Sequence, residues 1–146
     1  MTVIAWDGKT LAADKRMVNC GRGSTCTKLY RVGENAVAFS GDADGGREML
    51  VWFRAGADPD KFPARCRHEK DWTLMVVANK DGLCFYERTP YPVQVEDPFF
   101  AAGSGGDYAM AAMHLGKTAR EAAEIACLFD TGCGNGIDEL HTKGQT

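Results

Sequence analysis

The 146 residues contain no Cys-x-x-Cys pair, no long Lys/Arg cluster and no apolar run of more than a few residues. Each absence excludes something. Zinc sites usually announce themselves by tightly paired ligands. Here the six cysteines (Cys20, Cys26, Cys66, Cys84, Cys127, Cys133) and the three histidines (His68, His114, His141) are scattered. With no export signal, reduced thiols are the expectation, and Cys84 and Cys127 read as small core residues. A net charge of −3, with only short mixed runs such as residues 61–70, leaves nucleic acid no basic stripe to bind. No segment approaches the roughly 20 apolar residues of a membrane span. The start of the chain lacks a basic segment followed by a hydrophobic one, so the expectation is a cytoplasmic protein. A GxxxxGK[ST] phosphate loop is also missing.

What is present is ordinary for a globular protein: 45% hydrophobic and 25% charged residues argue against disorder and against a fibre. The length fits one domain over residues 1–146 with a real core. The most informative stretch is the beginning. Residues 3–6 are β-prone, Asp7-Gly8 is a hairpin turn signal, and Leu11, Ala12 and Ala13 return as a second strand that ends at Asp14. Removal of Met1 would expose Thr2 with both a hydroxyl and a free α-amine. An α-amine titrates near pH ~8 and can act as general base for its own hydroxyl. Taken alone, Thr2 reads as the start of an ordinary strand.

Further along, residues 19–24 read as a glycine-rich loop, 25–32 as a strand containing Lys28, and 36–40 as a strand buried on both faces. Residues 41–44 turn into a helix whose Met49, Trp52 and Phe53 share one face. Residues 57–70, broken by Pro59 and Pro63, read as loop. Residues 72–78 and 83–88 form a hairpin, and 89–98 an edge connection. A short strand at 99–102 runs through Gly103-Ser104-Gly105-Gly106 into a helix over 107–115. Thr118 and Glu121 make a capping box for a helix with Ala122, Ile125, Ala126 and Phe129 on one face, ending at Asp130. Residues 131–136 are glycine-rich loop and 137–141 a last strand. Grouped strands and helices argue for antiparallel sheets covered by helices, and against a doubly wound parallel sheet.

Five segments, in order, resemble the proteasome β-subunit/HslV family of N-terminal nucleophile hydrolases, the HslV-type subunits most closely. They are TVIAWDG at 2–8 with LAAD at 11–14, KLYRV at 28–32, AFSGDAD at 38–44, FAAGSGGDYA at 100–109, and TAREA at 118–122 running on to Asp130. The resemblance implies an α+β fold, a four-layer αββα sandwich with two mainly antiparallel sheets between helical layers. The first helical layer should be shortened, because residues 57–71 offer no second helix.

Carried onto this sequence, the resemblance implies roles. Thr2 is the nucleophile, Lys28 stabilises its alkoxide, and Asp14 pairs with Lys28. The Gly41 N–H donates to the oxyanion, and Ser104 and Asp130 tune the α-amine. Met17, Cys26, Phe39 and Ala43 would line a shallow, apolar substrate pocket. Singly, each residue has a plainer reading: Lys28 as a solvated lysine, Asp14 as a strand-end carboxylate, Gly41 as a tight turn, Ser104 as a helix cap. Together they imply a threonine endopeptidase in a self-assembled ring, fed with unfolded polypeptide by an AAA+ unfoldase, with no nucleic acid or membrane partner. No cofactor is required by this reading. A structural monovalent or divalent cation held by the backbone carbonyls of Gly132 and Cys133 is a weaker implication. Because only Met1 precedes Thr2, methionine aminopeptidase would suffice for processing; a chain that keeps Met1 should be inactive. Two alternatives stay open: a latent or inactive relative kept as an assembly module, and a small anion-binding protein using the turn at 103–106.

Overall fold

The computed structural model describes residues 1–68, 70 and 72–142. A four-stranded sheet has the order β10-β1-β2-β11 and a five-stranded sheet the order β5-β6-β7-β8-β9, and all their pairings are antiparallel. The strands are β1 (Ile4–Trp6), β2 (Thr10–Asp14), β5 (Leu29–Val32), β6 (Asn35–Gly41), β7 (Thr73–Asn79), β8 (Gly82–Tyr86), β9 (Val93–Val95), β10 (Phe100–Ala102) and β11 (Ile137–His141). Strands β3 (Arg16–Asn19) and β4 (Arg22–Thr25) form a separate two-stranded hairpin.

The side-chain alternation of the strands sorts the core into three layers. Ile4, Trp6, Leu11 and Ala13 point at Ala36, Ala38, Leu74, Val76 and Ala78, filling the space between the sheets. Val3, Ala5 and Ala12 point the other way, onto α2 (Gly106–His114) and α3 (Ala119–Phe129). Val37, Met75 and Val77 meet Met49, Leu50 and Trp52 of α1 (Ala43–Arg54). Both sheets are thus covered on both faces, which is why β2, β6 and β7 read as nearly unbroken apolar runs. The order of layers is α1, five-stranded sheet, four-stranded sheet, α2 with α3. This is the αββα sandwich expected.

Several local expectations need correction. The first hairpin turns at Gly8 and Lys9 rather than at Asp7 and Gly8. Asp7 Oδ1 accepts the amides of Lys9 (3.1 Å) and Thr10 (2.9 Å), and only Gly8 has positive φ. The loop at 19–24 is the β3–β4 hairpin, whose central Cys20 and Gly21 both have positive φ, as a type I′ turn requires. Its residues are largely exposed, so no buried face marked it as strand. The strand at 25–32 is split: Thr25 closes β4, and Lys28 stands just ahead of β5. Residues 57–70 contain two short 3₁₀ turns, Pro59–Lys61 and Ala64–Arg67, which bury Phe62 and Cys66 against α1 in place of a second helix. The connection at 89–98 contributes β9. Phe129 lies on the outer side of α3, 63% exposed and stacked on Tyr108; the buried face is Ala119, Ala122, Ala123 and Ala126. Four alanines in that face let α3 lie close to the sheet.

The capping box is formed: Thr118 Oγ1 accepts the Glu121 amide (3.2 Å) and Glu121 Oε1 the Thr118 amide (3.0 Å). Asp7 Oδ2 accepts the Ala119 amide at 2.9 Å, so one carboxylate fastens both the first turn and the start of α3. Asp7→Ala removes three charge-assisted hydrogen bonds. It should lower unfolding free energy by about 1–3 kcal/mol, read from the urea midpoint at unchanged slope.

Candidate active site

Thr2 enters β1 at one end of the sandwich, where four other segments converge. Its carbonyl accepts the Gly105 amide (3.1 Å) and its own amide donates to Ser104 Oγ (3.2 Å). The turn that carries Ser104 comes this close only because residue 103 is glycine. Gly103 has φ +86°, and a Cβ there would overlap the Thr2 backbone. Across the site, Lys28 is held by its own carbonyl, which accepts the Phe39 amide from β6 at 3.4 Å.

Thr2, Lys28 and Asp14 are all buried, with 5%, 4% and 0% exposure. Lys28 Nζ donates to Asp14 Oδ1 (2.9 Å), Thr2 Oγ1 (3.2 Å) and the Met1 carbonyl (3.1 Å). As an ammonium, Lys28 has three donors and no acceptor. All three donors are matched. It can steady negative charge on Thr2 Oγ1 but has no lone pair with which to take the Thr2 proton. Asp14 is equally committed. Oδ1 also accepts the Val3 amide (3.1 Å), and Oδ2 accepts the amides of Arg16 (3.2 Å) and Gly134 (3.1 Å).

Behind Ser104 lies a second cluster. Asp130 caps the end of α3 and accepts the Gly132 amide at Oδ1 (2.9 Å) and the Cys133 thiol at Oδ2 (3.4 Å). Hydrogen bonding from the Ser104 hydroxyl, and then from the Gly132 amide, holds the Asp130 carboxyl below the usual range. Cys133 Sγ lies 3.9 Å from Ser104 Oγ. Burial first, and then the charge of Asp14, pushes the Cys133 thiol up to about 12. Burial does the same to Cys127, raised to about 11. A thiol so firmly protonated, and giving its hydrogen to Asp130, has its place in the network behind Thr2. Among the described residues no three His, Cys, Asp or Glu side chains are grouped to hold a metal. The spacing Asp130-x-x-Cys133 across a helix end was the only sequence sign of that partnership.

A cleft of about 450 Å3 opens beside Thr2. Gly41, at φ +98°, lines it, and Trp72 presses so close that any Cβ at Gly41 would overlap the Trp72 carbonyl. Met17, Phe39 and Ala43 line it as expected, whereas half-buried Cys26 is not among the lining residues. The expected apolar pocket is corrected as well: Arg16, Asn19, Asp42, Asp44 and Arg47 also line the cleft. The Phe39 ring packs against Gly46, where a Cβ would overlap it. A larger cavity, about 740 Å3, lies along the outer side of α1 and contains none of Thr2, Lys28, Asp14, Ser104 or Asp130.

No protein-family model matches the chain, and no curated protein sequence matches it significantly. Among solved structures it is similar to BPH of Thiobacillus denitrificans in complex with epoxomicin, with a TM-score of 0.76 and 20% identity over 100% of both chains. It is also similar to eukaryotic HslV from Trypanosoma brucei (TM-score 0.71, 18% identity, 97% of this chain and 98% of that one). A second structure of the Thiobacillus denitrificans protein gives a TM-score of 0.67 at 19% identity, over 99% of each chain. The likeness extends from end to end and shows that this chain has the fold of BPH and HslV.

Two outcomes follow from this geometry. Lys28→Met leaves the Asp14 charge buried without its partner and should cost about 3–5 kcal/mol of unfolding free energy; a loss below ~1 kcal/mol in urea unfolding would contradict the pairing. Iodoacetamide at pH 8 should label exposed Cys20 first and leave Cys133 and Cys127 unlabelled until the protein unfolds, as peptide mass mapping would reveal.

Proposed function

We propose that this chain is a threonine-type peptidase subunit that hydrolyses peptide bonds through Thr2 once Met1 is removed. The observation that carries the reading is the buried ammonium of Lys28, bonded at once to Thr2 Oγ1 and Asp14. That arrangement favours an alkoxide but supplies no base. The base has to be the α-amine that processing creates at Thr2, next to the Ser104 hydroxyl that now accepts its amide hydrogen.

In the proposed reaction the α-amine takes the hydroxyl proton as Oγ1 adds to the substrate carbonyl carbon. The Gly41 N–H donates to the developing oxyanion, a contribution of about 3 kcal/mol to the barrier. The amine then passes its proton to the leaving nitrogen, the C–N bond breaks, and an acyl ester on Thr2 remains. Water, deprotonated by the same amine, attacks the ester, and the returning proton restores Thr2. Lys28 keeps its proton throughout. Asp130, kept ionised by Ser104 and Gly132, orients the hydroxyl that faces the amine.

The same reading extends to self-assembly into a ring with enclosed sites, supply of unfolded polypeptide by an ATP-driven unfoldase, and residence in the cytoplasm. Among the described residues no helix is long and apolar enough to cross a membrane. One observation favours a latent form as second reading: with Met1 attached, the Thr2 nitrogen is an amide and the Met1 carbonyl occupies one Lys28 donor. The anion-binding alternative loses ground, since the amides of Gly105 and Gly106 already donate to the carbonyls of Thr2 and Gly103.

The test is intact mass after incubation with a peptide epoxyketone, whose ring-forming adduct needs a free threonine amine and hydroxyl together. The Met1-free protein should gain one adduct, and Thr2→Ala none. Absence of an adduct on Met1-free protein would overturn the peptidase reading. Absence confined to protein that keeps Met1 would identify that form as the latent one.

A further inference from the structure

Four charged side chains besides Lys28 line the cleft: Arg16, Asp42, Asp44 and Arg47. Three have counterparts in the protein. Arg47 pairs with Asp44. Asp42 accepts the Gly45 amide at 2.8 Å and lies 3.9 Å from Arg65 Nη1. Arg16 differs. Among the described residues it makes no ion pair; its Nη1 donates to the neutral Asn135 Oδ1 at 3.3 Å, and its Nε is buried with no hydrogen-bond partner.

The Arg16 side chain is also built into place. Its backbone amide donates to Asp14 Oδ2, so it is tied to the carboxylate that holds Lys28 on Thr2. Arg16 pairs with Thr25 across the hairpin, and its guanidinium reaches diagonally over Gly23, where a Cβ would come within 2.7 Å of the guanidinium carbon. The absence of a side chain at Gly23 leaves room for the guanidinium across the hairpin. A fixed, planar donor group without an acid of its own matches a carboxylate, which it can engage through two parallel hydrogen bonds.

We propose that Arg16 binds a carboxylate of the peptide in the Thr2 cleft, so that acidic peptides are preferred over their neutral isosteres. The proposal rests on the peptidase reading for cleavage, though not for binding. The carboxylate has two possible sources, an Asp or Glu side chain or the free C-terminus of a peptide, and the experiment separates them.

Fluorescein-labelled peptides that differ only in Glu against Gln, each as free acid and as C-terminal amide, are titrated into the Thr2→Ala protein and followed by anisotropy. At low salt the Glu peptide should bind about fivefold more tightly than the Gln peptide, as a partly exposed charge pair allows, and added salt should shrink the difference. Arg16→Gln should bring the ratio close to one, and Arg16→Lys should retain part of it. A preference that follows only the acid-to-amide change would assign the contact to the C-terminal carboxylate and support the proposal in that form. Equal binding of all four peptides by protein with Arg16 intact would overturn it, whatever the variants do. So would a Glu preference that survives in Arg16→Gln. The same peptides offered to Met1-free protein with Thr2 intact report separately on cleavage. Arg16-dependent binding without turnover would sink the peptidase reading and leave the carboxylate site standing.

Discussion

The rest of this structure depends on one buried charge pair, Lys28 with Asp14. Two ions taken out of water carry a desolvation cost of several kcal/mol each, and their attraction offsets it only when every remaining donor and acceptor is matched. Here every one is. The carboxylate accepts bonds from Lys28 and from the amides of Val3, Arg16 and Gly134, while the ammonium reaches Thr2 and the Met1 carbonyl as well. Four separate parts of the chain, residues 1–3, 14–16, 28 and 134, are thus fastened to one ion pair. Such an arrangement tolerates little displacement of any of them, and this holds Thr2 Oγ1 at hydrogen-bond distance from a cation.

The sandwich provides the frame for that knot. Strands β1 and β2 are short, and their apolar side chains Ile4, Ala5, Trp6, Leu11, Ala12 and Ala13 are buried. The four-stranded sheet can therefore be covered on one side by the alanine face of α3 and on the other by the five-stranded sheet. Burial on both faces leaves no solvent near Asp14. The strand ends, the β10–α2 turn and the α3–β11 loop then meet at the same end of the molecule, each bringing one polar group. Fold and site are two aspects of one packing solution: the apolar layers exclude water, and the excluded water is what makes the ion pair and its hydrogen bonds strong.

A division of labour follows inside the site. Lys28 lacks a free lone pair, so in the proposed reaction the roles of charge stabiliser and proton acceptor fall to different groups. Ser104, Asp130 and Cys133 form the half of the site that faces the Thr2 nitrogen, and Lys28 with Asp14 the half that faces its oxygen. The thiol of Cys133 contributes as a neutral donor, a role that its burial enforces. The cleft in front of this pair of half-sites is polar, because the β3–β4 hairpin and the first turn of α1 bring charged residues to its walls.

Much of this was legible in the sequence. The apolar runs of β6 and β7 and the capping box at Thr118 and Glu121 pointed to strands and helices in layers, while Thr2, Asp14, Lys28, Ser104 and Asp130 came from the resemblance of five short segments to the HslV-type family. These signals are local: periodicity, turn chemistry and capping act between residues close in the chain. Other features were not legible. The β3–β4 hairpin buries no face, so its strands carry no alternation; Phe129 reads as core by spacing but lies outside because alanines fill the inner face. Cys133 and Arg16 take their setting from the fold, Cys133 between Asp130 and Ser104, and Arg16 against Asn135 and Gly23. By itself the sequence determined which segments are strands and helices and which polar residues the core would have to accommodate. Only the tertiary structure decided which donor meets which acceptor around Thr2, because those outcomes depend on distances between residues far apart in the chain, such as Lys28, Asp14 and Gly134.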